Sequence, residues 1–286
     1  MAHPLHAGRG LLPAFAVFLL AVGVSGCANL AEVKRFATLS SQAVKQDALT
    51  RDYIAALDRH KRYQSSTYHA ELEAQKTRRE AQQANMDMLQ HTIADYMQGL
   101  AGLASGESRT YDKSLKDLNA SLSKATLLTS GEKEAVGALS TLLARAVTVG
   151  YRQNEMKKLI RDSNQPLQDV IKATRKIVTK GIDADLRVEF TLVERYYDNF
   201  MLAPGNPSEP VAMALARAAK AEALGRVDAR RRHVQAYDGV LEKIAHGHQY
   251  LYEHAERIGN DELNEQFAPE IEELSYAYQH LLDIAR

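Results

Sequence analysis

Three histidines close in number, His246, His248 and His254, are the residues whose type could hold a metal ion. A first-row metal needs ligands converging at about 2 Å, commonly from an i, i+4 pair on one helical face. On a helix His246 and His254 lie two turns apart on roughly one side, while His248 points elsewhere. Tyr250 stands where the middle ligand should be. His246 and His254 come nearest to a metal pair, but all three histidines are expected at a solvated surface, with no metal and no cofactor. Arg230-Arg231-Arg232-His233 is the densest basic run. Four consecutive helical residues point to all sides, so they form no single flat patch. They are expected to be solvated and partly paired, with Asp228 and other acids nearby. Tyr196, Tyr197, Tyr250, Tyr252, Tyr276 and Tyr278 are amphipathic aromatics at helical spacing, expected mostly in the core or at its edge.

Other catalytic chemistry lacks its signature. A nucleotide-binding loop needs closely spaced glycines at a strand-to-helix turn, and neither is present. Glu-x-x-His, the di-iron bundle motif, does not occur, nor does His-Glu-x-x-His. The expectation is a protein that is not an enzyme.

The remaining reactive group is Cys27, the sole cysteine of the 286-residue chain. Before it come Arg9, the apolar run Leu11–Val22 and the small residues Gly23–Gly26, the three parts of a secretory signal. A twelve-residue apolar run is too short to span a bilayer, which takes about 20 residues. Val24-Ser25-Gly26-Cys27 resembles the lipobox of bacterial lipoprotein precursors: an aliphatic residue, two small ones, then cysteine. The resemblance covers residues 1–27 and implies cleavage before Cys27 and lipidation of its sulfur, with further acylation of the new amino group. Two or three acyl chains give durable attachment where one gives marginal binding. Ala28 replaces the aspartate that retains some lipoproteins at the inner membrane, so the resemblance favours the outer membrane. The chain thus divides into a signal peptide, 1–26, and a domain, 27–286, anchored through Cys27.

Lipidated, that domain has no thiol for a disulfide, and its stability must come from packing. Without residues 1–26 it carries 35 Lys plus Arg against 36 Asp plus Glu. This near-neutral charge argues against nucleic acid as a partner.

The elements expected to carry these residues are helices. No glycine or proline occurs from Ala28 to Gln98, and good helix formers dominate that stretch. Asn29 with Glu32 reads as a variant capping box that starts a helix almost at the anchor. Ser65-Ser66-Thr67 are good caps and poor helix interior, so around Tyr63–Tyr68 either two helices meet in a turn, the favoured reading, or one helix overhangs the core as a solvated arm. Tyr111, Leu115, Leu118, Leu122 and Ala125 form one helical face. Thr129-Ser130-Gly131-Glu132 caps a helix running to about Asp162, and Asp162–Pro166 reads as a turn with Pro166 opening the next helix. Gly181 either interrupts that helix or is tolerated within it. Ala203–Pro210 is a loop, followed by a long helix over about Val211–Ile258. Gly259-Asn260-Asp261 closes it, and a last helix carries Phe267, Ile271, Leu274, Tyr278 and Leu281, with Pro269 in its first turn. The fold expected is all-α: an elongated up-down bundle of six or seven helices.

These features point to a membrane-anchored extracytoplasmic lipoprotein acting as a helical scaffold or protein-interaction module. It would face the periplasm from the outer membrane and meet a protein or cell-wall partner. The alternatives are a small-ligand or metal-binding bundle and, behind it, a surface-exposed lipoprotein contacting a host or another cell. Cys27 lies outside every apolar stripe. Cys27→Ala is therefore expected to abolish incorporation of radiolabelled fatty acid and membrane retention while the body stays folded; wild-type labelling of the variant would contradict the lipidation reading.

Overall fold

The computed structural model describes residues 30–106, 128–149 and 153–285. The anchor sequence with Cys27, and the face from Tyr111 to Ala125, lie outside these residues. Among the described residues the chain is all-α, without strands. Its helices are α1 (Ala31–Ala43), α2 (Asp47–Lys61), α3 (His69–Ala104), α4 (Ser130–Val149), α5 (Gln153–Lys176), α6 (Asp183–Leu202), α7 (Pro210–Glu253) and α8 (Asp261–Ala285). A π-helical stretch, Ile177–Ile182, joins α5 and α6 into one rod. Counted so, the described residues form seven continuous helices, in keeping with the bundle expected.

The mast of the bundle is α7, 44 residues long and so about 66 Å at 1.5 Å per residue. Toward its C-terminal end it packs on α8, α5 and α1, and toward its N-terminal end on α6. The hairpin of α2 and α3 and the pair α4–α5 complete the bundle, with α3 packed on α1 and α5. The core follows the helical stripes: Phe36 on α1, Ile93 and Leu100 on α3, Ile160 on α5, Leu241 on α7 and Ile271 on α8 are all closed to solvent. Burial of each such side chain contributes about 1.5–3 kcal/mol.

Several turns are local in origin. At the start of α4 the Thr129 N–H donates to Glu132 Oε2 (2.8 Å) and the Glu132 N–H to Thr129 Oγ1 (3.3 Å), a reciprocal capping box. Ser65 caps the 3-10 turn Ser66–Tyr68, where α2 and α3 part as expected. Pro210 occupies the first turn of α7, and Gly259, at φ 96°, makes the left-handed turn before α8.

Four expectations need correction. The cap of α1 is Leu30, with no side-chain cap, and Glu32 pairs instead with Arg35. The run free of glycine and proline breaks a second time, at Val44–Gln46, because distant side chains satisfy the backbone there. Tyr237 Oη donates to the Val44 carbonyl (2.8 Å), and the Gln46 N–H donates to Gln90 Oε1 (2.7 Å). Asp162–Pro166 is no turn: α5 runs through Pro166. The buried stripe Met156, Ile160, Ser163, Leu167 and Val170 continues across it, and its burial outweighs the roughly 3 kcal/mol cost of an interior proline. By the same logic α8 begins at Asp261, burying Leu263 and Phe267, so Pro269 lies inside the helix rather than in its first turn.

Two glycines of α7 separate propensity from packing. A Cβ on Gly247 would sit 2.3 Å from Cε2 of the buried Phe36 ring, whereas one on Gly239 would meet nothing within 4 Å. In urea unfolding, Gly239→Ala is expected to stabilise by up to about 1 kcal/mol. Gly247→Ala is expected to destabilise by about 1–3 kcal/mol despite the same gain in helix propensity.

Candidate functional site

The chemistry-bearing residues gather in two polar centres inside the bundle. In the first, His248 is completely buried between α3 and α5. This corrects the surface placement expected for it: His248 lies four residues after Ile244 and three before Leu251, on the apolar stripe of α7 itself. Its Nδ1 lies 3.0 Å from Asn164 Oδ1, and its Nε2 lies 2.7 Å from Tyr96 Oη. An amide oxygen can only accept, so Nδ1 carries the proton, and Nε2 then accepts from the Tyr96 hydroxyl. Ser163 Oγ, 2.6 Å from Tyr96 Oη, supplies that oxygen's donor. On the other side Asn164 Nδ2 donates to Gln249 Oε1 (2.8 Å), and Gln249 Nε2 to Glu253 Oε1 (2.9 Å). The chain of donors runs one way, from Ser163 in the core to Glu253 at the surface. Desolvation pushes the His248 pKa down to about 3 and holds the Tyr96 hydroxyl well above its ordinary range.

The second centre clamps α2 to α6 and α7. Glu189 is 2% exposed and accepts from Arg59 Nε at 2.8 and 3.0 Å. The other edge of Arg59 binds Asp52 through two bonds of 2.9 and 3.1 Å. Arg230 reaches both carboxylates, 3.4 Å from Glu189 and 3.5 Å from Asp52. One turn away Arg79 of α3 binds Asp185, donates to the Tyr53 carbonyl (2.6 Å) and lies 3.8 Å over the Tyr53 ring. Arg231 and Arg187 both bind Asp183. Arg230 and Arg231 of the arginine run are therefore paired, with Asp52, Glu189 and Asp183 of neighbouring helices. Every carboxylate here faces a guanidinium, an arrangement suited to alignment rather than to proton transfer.

Neither centre was anticipated as a unit. A signal existed for Glu189, an acid between Leu186 and Val193 on an apolar stripe, and none for Tyr96 or Asn164. His246 is exposed, while His254 stacks on Tyr250 (centroids 4.2 Å apart) with Nδ1 2.9 Å from the Tyr250 carbonyl. Among the described residues no three His, Cys, Asp or Glu converge as a metal site. Of the tyrosines, Tyr196 and Tyr197 pack with Tyr63 at the end of α2, Tyr250 stacks on Phe267, and Tyr276 stands exposed.

Open grooves flank these centres. One of about 350 Å³ between α7 and α8 is lined by Arg232, Gln235, Gly239, Tyr276 and His280. Another of about 310 Å³ between α1 and α3 includes Lys34, Thr38, Gln42, Gln98 and Gly102. A third, of about 320 Å³ between α5 and α7, carries Lys172, Arg175, Lys176 and Lys180 beside Asp238. No described helix is long and apolar enough to cross a membrane.

A histidine whose folded pKa lies near 3 stays neutral where the unfolded chain, near 6.5, takes up a proton. Its contribution is thus complete above about pH 6.5 and is lost as pH falls toward 3, at up to about 1.4 kcal/mol per pH unit. Burial shifts His60 and His233 in the same direction. Urea unfolding at a series of pH values is expected to show His248→Asn with a shallower acid slope than the parent, by about one proton; an unchanged slope would contradict a buried neutral His248. Compared with protein-family models, curated proteins and solved structures, the chain gives no match.

Proposed function

We propose that the chain is a lipoprotein anchored through Cys27 in the cell envelope, at the outer membrane and facing the periplasm, where its bundle works as a protein-interaction scaffold. The observation that carries this reading is the closeness of fold and anchor. Leu30 is 4% exposed and belongs to the core, as do Val33 and Phe36. Only Ala28 and Asn29 separate this core from Cys27, a span of at most about 11 Å. A lipid on Cys27 would then hold a rigid body rather than a tethered one, fixing its position and orientation at the surface. Such fixing raises the effective concentration of weakly bound partners without adding contacts. The two polar centres support a scaffold too, since their groups bond to one another across the helices.

The test is to lengthen the tether. A long flexible linker inserted after Ala28 is expected to weaken function in a strain lacking the native chain, although lipidation and folding persist. Full restoration of the deletion phenotype by an unanchored form at normal abundance in the periplasm would overturn the proposal.

A further inference from the structure

The groove between α1 and α3 contains a buried hydroxyl that nothing in the fold uses. Lys34, Thr38, Ser41, Gln42 and Lys45 recur at helical spacing and form one polar wall. Across from them α3 offers Gln98 and Ser105, and its buried Ala101 and Gly102 form the floor. Ser41 is only 8% exposed, yet its hydroxyl has no hydrogen-bond partner among the described residues. A helical serine or threonine ordinarily spends its hydroxyl on the carbonyl four residues back. Ser105 does so on Ala101 (2.9 Å) and Thr92 on Met88 (2.8 Å). Ser41 does not, and the space its side chain borders is the groove. A hydroxyl so nearly buried is costly unless a group from outside meets it. The α5–α7 groove differs, because its cations are largely spent within the fold: Arg175 bonds Asp238 and Glu242, and Lys176 lies 3.7 Å from Glu132.

The lining selects the ligand. It holds the ammonium groups of Lys34 and Lys45 and no carboxylate, with Asp95 facing Lys45 from outside it, so an anion is favoured. Lysine acts as a point charge and suits the tetrahedral oxygens of phosphate. A planar carboxylate is matched by the arginine fork, and no arginine lines this groove. Between the lysines stand hydroxyls and amides, which both donate and accept and so suit the hydroxyls of a polyol or sugar. Lys34 and Gln42 are eight residues apart, about 12 Å along α1, which leaves room for both parts of such a molecule. We propose that the α1–α3 groove binds a phosphate ester of a polyol or sugar, with Ser41 hydrogen-bonded to it and Lys34 and Lys45 holding its charge. A free monoester and the diester of a lipid headgroup share this chemistry, and the test separates them. The proposal does not depend on an anchor at Cys27.

Calorimetric titration of the purified protein in a nonionic detergent, with glycerol 3-phosphate, glycerophosphoglycerol and glycerol, provides the test. Saturable binding of a phosphate ester is expected, and none of glycerol. Whichever ester binds more tightly identifies the source, the monoester a free metabolite and the diester a lipid headgroup. Ser41→Ala is expected to weaken binding about tenfold while circular dichroism stays unchanged. Lys34→Gln combined with Lys45→Gln should weaken it at least as much. Lys172→Gln combined with Lys176→Gln takes the same charge from the α5–α7 groove and should leave binding as it was. No saturable binding of either ester, equal binding of glycerol, no effect of Ser41→Ala, or an equal loss from the two lysine pairs would each overturn the proposal.

Discussion

The hydrogen bond between Tyr96 and His248 joins residues 152 apart in sequence and decides how three helices face one another. Apolar side chains tolerate small rotations of a helix, because one methyl group can replace another against the same neighbour. A buried hydroxyl and a buried imidazole cannot, since each left without a partner costs about 1–3 kcal/mol. With Tyr96 on α3, Ser163 and Asn164 on α5 and His248 on α7, a turn of any one helix would orphan groups on the other two. The bare backbone of Gly247, next along from His248, then sits under the Phe36 ring and draws α1 against the same point.

Glu189 does for the other half of the bundle what His248 does here, with charge in place of neutral dipoles. An ion pair taken out of water brings little net stability compared with apolar packing, but removing one partner leaves a buried charge uncompensated. Asp52 of the same helix holds one edge of Arg59 and aims the other at Glu189, so α2 can neither slide nor roll against α6 without losing the Glu189 pair. Stability and alignment thus come from different residues. The leucine, isoleucine and phenylalanine stripes supply most of the free energy, while a few polar contacts choose among the ways those stripes could mesh.

That division explains what could be read before the structure. The all-α bundle followed from helix-forming residues and apolar periodicity, and the capping box at Thr129 and Glu132 is a local motif that needs no tertiary context. The break at Val44–Gln46 was invisible because its hydrogen-bond partners, Gln90 and Tyr237, come from other helices. Pro166 and Pro269 misled in the opposite sense: local preference said stop, and the buried stripes on both sides said continue. His248 illustrates a third case. Its neighbours in number suggested a metal cluster, while its spacing from Ile244 and Leu251 already placed it on the inward face.

The π-helical stretch at Ile177–Ile182 has a geometric consequence for the rod that contains it. Such a stretch takes in one more residue than the α-helix would, so every side chain beyond it is turned by about 100° from the angle a regular helix would give. Before it, the rod directs Ile160, Leu167 and Val170 into the main core; after it, Glu189 and Val193 meet α2 and α7. One residue therefore works as a phase adjuster between two packing problems that a uniform helix could not solve together. The azimuth of the hairpin of α6 and α7 becomes a property of that single turn, and a change of one residue in length there would re-aim the hairpin without rewriting the core.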